Sequence, residues 1–250
     1  MAGVAAAFLL LPVAGLLWRA PWTDLGGDLW SPGIRTALRL SLVCSLWATA
    51  LSVLFGVPLA WVLARVEFPG RRLLRALSTL PMVLPPVVGG VALLLAFGRQ
   101  GLLGRWLFDW FGLRLPFTTA GAVLAETFVA MPFLVVPAEA AFRSLDRRYE
   151  EAARTLGAGR WTVFRRVTLP LARPALVAGT VLCWARALGE FGATITFAGN
   201  TPGRTSTLPL QVYVLLESGR LEAAVALSLV LLAVSVAVLV ALRDRWLGAG

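Results

Sequence analysis

The segment Ala223–Leu242, AAVALSLVLLAVSVAVLVAL, carries no charged residue and has 12 Leu or Val in 20 positions. A helix rises about 1.5 Å per residue, so about 20 apolar residues cross the roughly 30 Å hydrocarbon core of a bilayer. At about −0.3 to −0.6 kcal/mol for each Leu or Val, the stretch inserts without help. Five further segments share this character, at 2–18, 36–64, 73–97, 119–142 and 174–198, with the last span placed at 222–242. The chain as a whole is 58% hydrophobic and 14% charged, with a mean hydropathy of +0.80. No water-soluble fold hides that much apolar surface. The expected architecture is therefore all-α: a polytopic transmembrane helical bundle of about six spans. No internal repeat or linker divides it, so residues 1–250 read as one membrane domain.

The first segment has the length of a signal peptide. It lacks a basic leading region and a persuasive small-residue cleavage site, and is read as a retained span. Six spans place both termini on one side of the membrane. The connections 65–75, 143–173 and 243–245 hold 14 Arg, whereas those on the opposite side hold only Arg19, Arg35, Arg99, Arg105, Arg114, Arg204 and Arg220. The positive-inside rule puts both termini and the 143–173 loop in the cytoplasm, with Arg19 opposing the assignment for the first span alone. The formal charge of +10 is thus a topology signal, not a sign of nucleic-acid binding.

All 23 basic residues are Arg, and the chain has no Lys and no His. Without Lys there is no phosphate-binding G-x-x-x-x-G-K-[ST] loop, so ATP, if it drives this protein, binds another polypeptide. Without His there is no His-dependent triad, His-ligated zinc or His proton shuttle. Cys44 and Cys183 each lie inside an apolar run without metal-ligand spacing and read as small core residues. No catalytic residue, metal ligand or cofactor site emerges.

The third span contains Leu80-Pro81-Met82-Val83-Leu84-Pro85-Pro86-Val87-Val88-Gly89-Gly90. Each proline removes a backbone donor and clashes with the preceding turn, so this helix bends or breaks. Loose backbone groups at membrane depth are tolerated only where protein or a wet cavity satisfies them. Pro85 and Pro86 are candidates for lining a translocation path, with a packing kink as the alternative. Arg186 and Glu190 stand one helical turn apart within the fifth span, where charge is costly. They belong either to a wet path or to a structural ion pair.

The loop between spans four and five is too polar to insert, yet it is patterned. Leu145, Tyr149, Ala152 and Leu156 form one helical stripe, Asp146 is a plausible N-cap, and Glu150 and Glu151 lie near the positive end of the helix dipole. Gly157 and Gly159 stop this helix. Trp161, Phe164 and Val167 then share one face of a second short helix that Pro170 ends. Such a pair is a docking surface or an interfacial anchor.

Glu151-Ala152-Ala153, three residues, Gly157, nine residues, Val167, one residue, then Leu169-Pro170 resembles the EAA motif of binding-protein-dependent ABC importer permeases, with Val where that family often has Ile. The resemblance implies a type I ABC importer-like bundle in a bacterial or archaeal cytoplasmic membrane. It implies that the loop forms coupling helices seated in a cleft of a separate ATPase. Glu151 would supply a polar contact there, Ala152 and Ala153 close approach, Gly157 the turn, and Leu169 and Pro170 the end of the motif. ATP and magnesium would belong to that partner.

The run from Ala185 to Asn200, ARALGEFGATITFAGN, resembles the molybdate branch of these permeases, and sulfate and thiosulfate permeases share its first part. The Thr194-Ile195-Thr196-Phe197 end carries most of the distinction, and Thr194 and Thr196 join the pathway candidates. Leu84–Val88, Phe108–Gly112 and Ala153–Trp161 support the same resemblance, which spans about residues 36–245. It implies a permease homodimer, two ATPase subunits, and an external binding protein that delivers molybdate or tungstate for alternating-access import. Arg204 and Arg220 either steer an oxyanion or an acidic partner face, or are simply solvated. The nearest alternative is a sulfate or thiosulfate permease of the same family, and the competing class is a proton-coupled secondary transporter with Glu126, Glu139 and Glu190 as proton carriers.

Overall fold

The computed structural model describes residues 1–22 and 31–247, with backbone alone at 2 and 241–247. Residues 23–30 of the first long connection, the side chains of Arg243 and Arg245, and the tail 248–250 lie outside the description. Among the described residues the chain is helical throughout, with no strand.

The helices are α1 (Ala2–Trp18), α2 (Pro32–Arg65), α3 (Arg71–Val83), α4 (Pro86–Phe97), α5 (Gly104–Phe111) and α6 (Thr119–Ala130). They continue with α7 (Pro132–Ser144), α8 (Arg147–Thr155), α9 (Arg160–Leu188), α10 (Gly192–Phe197), α11 (Leu208–Glu217) and α12 (Leu221–Leu247). Among the described residues three single helices are long and apolar enough to cross a membrane: α2, α9 and, over Leu221–Val240, α12. The pair α6 and α7 makes a fourth span, bent by 42° where Pro132 denies the helix a donor. The short apolar helix α1 matches the first expected segment and packs on α12.

The third and fifth expected segments need correction. The 73–97 segment is two helices of 13 and 12 residues, neither long enough to cross alone. Leu84 and Pro85 are both extended, with ψ of 130°. Each precedes a proline, whose ring disfavours the helical region for the residue before it. The expected break is therefore present, and it is complete. The fifth segment was placed at 174–198, but α9 starts at Arg160 and stops at Leu188, and α10 follows after a three-residue interruption. The second short loop helix likewise does not end at Pro170. It runs through a π turn, Phe164–Thr168, directly into the span. Pro170 has no N–H to bond back along the helix, and the wider turn accommodates its ring.

Small residues let the central helices approach closely around large buried side chains such as Leu63, Leu134 and Phe142. The face of α2 that meets its neighbours reads Ser41, Cys44, Ser45, Ala48, Ser52, Gly56 and Ala60, all buried. A Cβ on Gly56 would meet Val135 at 3.1 Å, and one on Gly179 of α9 would meet Pro137 at 3.0 Å, so both helices press closely on α7. Close backbone approach is how helices associate where lipid is as apolar as their side chains. Cys44 and Cys183 are buried and free within this core. Polar atoms are satisfied across helices: the Trp184 indole N–H donates to Ser45 Oγ at 3.1 Å, and the backbone N–H of Leu208 donates to Ser41 Oγ at 2.6 Å.

Candidate functional site

Two regions hold the residues singled out from the sequence, one at each end of α9. The first is the loop between α7 and α9. Asp146 caps α8, its Oδ1 accepting from the backbone N–H of Arg148 at 2.9 Å. Gly157 closes the helix with φ of +86°, while the N–H of Ala158 bonds Ala153 O at 3.1 Å and that of Gly157 bonds Arg154 O at 2.9 Å. This is a Schellman closure, which needs a left-handed residue at that position. Gly159 does not end α8 but serves as the N-cap of α9.

Glu150, to which sequence reasoning gave only a helix-dipole role, ties this loop to the bundle. Its Oε1 lies 3.1 Å from Arg65 at the end of α2 and accepts from Thr168 Oγ1 at 2.9 Å. Arg65 also donates to Leu145 O at 3.3 Å. Trp61 of α2 meets the Phe164 ring edge-on at 5.8 Å, and Trp161 stacks on the same ring at 5.7 Å. Three elements are thereby joined into one body. No spacing rule pairs Arg65 with Glu150 across 85 positions, and only tertiary packing reveals the contact.

Of the motif residues, Glu151, Ala152, Gly157 and Pro170 are exposed, and Ala153 and Leu169 are half-buried. Of the expected stripe, Leu145 packs against the core while Tyr149 and Leu156 remain 60% and 88% exposed, and Trp161 of the second helical face is 70% exposed. These three large side chains leave most of their surface uncovered among the described residues, at the tip of an otherwise charged loop.

The second region lies where α9 stops. Arg186 Nη1 pairs with Glu190 Oε2 at 2.7 Å, and Glu190 Oε1 accepts from the backbone N–H of Ala193 at 2.8 Å. Glu190 is 1% exposed and lies past the end of α9, not one turn on within the span as expected. Its carboxylate bridges the end of one helix to the start of the next, satisfying an orphan donor of α10.

The breaks of the two interrupted spans pack on each other. A Cβ on Gly90 would fall 2.6 Å from Thr196 Cβ and 2.9 Å from Ala193 O, and one on Gly192 would fall 2.8 Å from Pro86 Cβ. Pro86, Thr194, Thr196 and Glu190 are thus brought to one neighbourhood, with Pro85 and Pro86 exposed on its outer side. Thr196 Oγ1 returns to Gly192 O at 2.8 Å, whereas the fully buried Thr194 Oγ1 has no hydrogen-bond partner among the described residues.

Of the other carboxylates, Glu139 is engaged by Arg75 at 2.7 Å and by Arg143. Glu126, buried on α6, lies within electrostatic range of Glu190 and has one oxygen without a partner among the described residues. Arg204 accepts at its carbonyl from Thr119 Oγ1 at 2.8 Å, and Arg220 lines a separate cavity of about 460 Å³ with Arg19 and Glu222. No group of three His, Cys, Asp or Glu that could hold a metal is present among the described residues.

Comparison with known proteins follows the same lines. The chain is 48% identical over 238 residues to the molybdenum transport system permease protein ModB of Mycobacterium tuberculosis (strain ATCC 25618 / H37Rv), covering 95% of this chain and 89% of that protein. It is 46% identical over 211 residues to the protein of the same name from Escherichia coli (strain K12), covering 84% and 92%. The sulfate transport system permease protein CysT of that organism is 39% identical over 234 residues, covering 92% and 84%. Among solved structures, the chain of a bacterial ABC transporter importing the acidic polysaccharide alginate superposes with a TM-score of 0.75 at 21% identity, covering 100% of this chain and 94% of that one. A chain of the MetNI methionine ABC transporter gives 0.61 at 19% identity, covering 86% and 99%. These two show a shared helical fold. Residues 53–248 match the model of the binding-protein-dependent transport system inner membrane component, and the chain belongs to that family of ABC transporter permeases, a transport component and not an enzyme.

Proposed function

We propose that this chain is the permease subunit of an ATP-driven importer for molybdate or tungstate, working by alternating access in the cytoplasmic membrane. One observation carries the cargo assignment: the two molybdenum permeases compared above are 48% and 46% identical, above the 39% of the sulfate permease.

The loop at 145–170 is the ATPase-docking element in this reading. Glu151, Ala152, Ala153 and Gly157, with Leu169 and Pro170, present the motif, and Tyr149, Leu156 and Trp161 supply apolar surface for a cleft. A helix pair locked to α2 and continuous with α9 transmits a push from that cleft into the span as one rigid body. The loop and both termini then face the cytoplasm. The assembly is a permease homodimer with two ATPase subunits, fed by an external binding protein.

Pro85, Pro86, Thr194 and Thr196 line or shape the path at the crossing of the two breaks. Arg186 is already neutralised by Glu190, so the pair offers an oxyanion little net attraction and serves to hold the break in register. Weak holding suits a pore, because a tight site slows release, and cargo selection then rests with the external protein.

The test is uptake into proteoliposomes that hold this chain with its cognate ATPase, supplied with the external binding protein. Molybdate accumulation that requires ATP, persists without a proton gradient and exceeds sulfate accumulation is the expected result. Uptake that follows the proton gradient without ATP sinks the importer reading, and a preference for sulfate sinks the cargo.

A further inference from the structure

The short helix α5, Gly104–Phe111, lies between the spans ending at Phe97 and beginning at Thr119. It therefore sits at the end of the bundle opposite the 145–159 loop. Most of its large side chains separate by angle, with Phe108 between the two faces. At 100° per residue, Trp106, Leu107, Trp110 and Phe111, with Leu103 just before them, share one face, and Arg105 and Asp109 share the other. The apolar face is uncovered: Leu103 is 54% exposed, Trp106 46%, Trp110 71% and Phe111 68%.

The height of this helix relative to the bundle is set by backbone bonds. The N–H groups of Leu102 and Leu103 donate to Leu95 O at 3.1 Å and Ala96 O at 2.8 Å, in the last turns of α4. Gly104 lies against the carbonyls of Phe97 and Gly98, leaving no room for a Cβ. At its far end Gly112 adopts φ of +65°, and the N–H of Leu113 closes onto Leu107 O at 3.2 Å. The helix is thus a finished element held at the level where an apolar segment leaves the membrane.

The guanidinium carbons of Arg99 and Arg114 lie 4.5 and 4.9 Å from the Phe108 ring centroid, and that of Arg105 lies 5.0 Å from the Trp106 ring. None of the three forms an ion pair among the described residues. Aromatic rings beside unpaired guanidinium groups, at one level along a membrane protein, match the order of acyl chain and phosphate in a bilayer interface.

We infer that α5 is an interfacial membrane anchor, lying flat with Trp106, Trp110 and Phe111 among the upper acyl chains and with Arg99, Arg105 and Arg114 directed at phospholipid phosphates. The anchor fixes the connection between the broken third span and the bent fourth one, so those two spans are tied to the plane of the membrane at this end. The anchor requires neither a particular cargo nor a docked ATPase.

Depth measurement tests it. Spin labels are placed singly by Trp110→Cys, Phe111→Cys and Asp109→Cys in a Cys44→Ala, Cys183→Ala background, with the full chain in phosphatidylethanolamine–phosphatidylglycerol nanodiscs. Labels at 110 and 111 are expected to collide with oxygen in preference to a water-soluble nickel chelate, at a depth of roughly 5 to 10 Å. The label at 109 is expected to show the reverse preference. Equal exposure of all three to nickel overturns the inference. Shielding of 110 and 111 from both agents also overturns it, since that shows the face to be covered by protein, a second copy included. Quenching by brominated lipid, compared between the unsubstituted chain and Trp106→Phe, Trp110→Phe, gives a readout free of labels: loss of part of the quenchable signal is expected, and an unchanged quenchable fraction counts against the anchor.

Discussion

Arg65, the last residue of α2, meets Glu150 of α8 at 3.1 Å, with side chains only 9% and 15% exposed. The pair fastens the loop helix to the longest span, and Thr168 on the same carboxylate adds the start of α9. Removing one member leaves a largely buried charge, at about 3 kcal/mol. Glu150→Gln is expected to keep the ATPase active in the reconstituted complex while uptake falls at least several-fold, because the docked helix no longer moves with α2. Parallel measurement of hydrolysis and uptake checks this, and an unchanged ratio between them refutes the lock.

Gly157 stands at φ of +86°, a conformation that costs a side-chain-bearing residue about 1 to 2 kcal/mol and that proline cannot adopt. Gly157→Pro is expected to insert normally but to uncouple hydrolysis from uptake. Glu151→Lys, a charge reversal on an exposed surface, is expected to do the same without loss of thermal stability. Full coupled uptake by both variants removes the docking role from this loop.

Gly90 faces Thr196 and Ala193 across the crossed breaks with no room for a side chain. Gly90→Val forces the two interrupted spans apart, at about 1 to 3 kcal/mol for overpacking. A lower melting temperature in detergent is expected, with a larger fractional loss of uptake than of folded protein. Gly33→Val, where a Cβ meets nothing within 4 Å, serves as the control.

Arg186 and Glu190 provide a cycle. Each single change, Arg186→Met or Glu190→Met, leaves one partner unpaired and is expected to destabilise by about 3 kcal/mol, whereas the double change costs less than the sum. If the pair only holds the break in register, the folded double variant retains most of its uptake. Uptake lost in the double variant despite recovered melting temperature instead assigns Arg186 to the cargo path.

Much of the molecule is legible from composition and punctuation. The run Ala223–Leu242 announces a membrane helix, and the Pro85-Pro86 pair announces a break, because hydrophobic transfer and the missing proline N–H act locally. The cap at Asp146 and the turn at Gly157 are legible for the same reason. The end of the fifth segment is not: its apolar character continues through Gly192–Phe197 while the helix itself stops at Leu188. Hydropathy reports what a stretch buries and is blind to whether its backbone is interrupted. The continuation of α9 through Pro170 was hidden likewise, since a π turn is an accommodation between the proline ring and contacts made by Phe164 and Thr168 elsewhere.

By itself the sequence determined that this chain lives in a membrane, lacks a nucleotide-binding lysine loop, and presents a patterned polar loop between two apolar segments. Those properties follow from summed transfer energies and from the presence or absence of residue types, which need no partners in space. Only tertiary structure decided that Glu150, beside the motif glutamate, is the residue tied to Arg65, and that the two broken spans cross glycine to threonine. Such contacts are set by the distance between helices far apart in the chain, and no spacing along the chain encodes that distance.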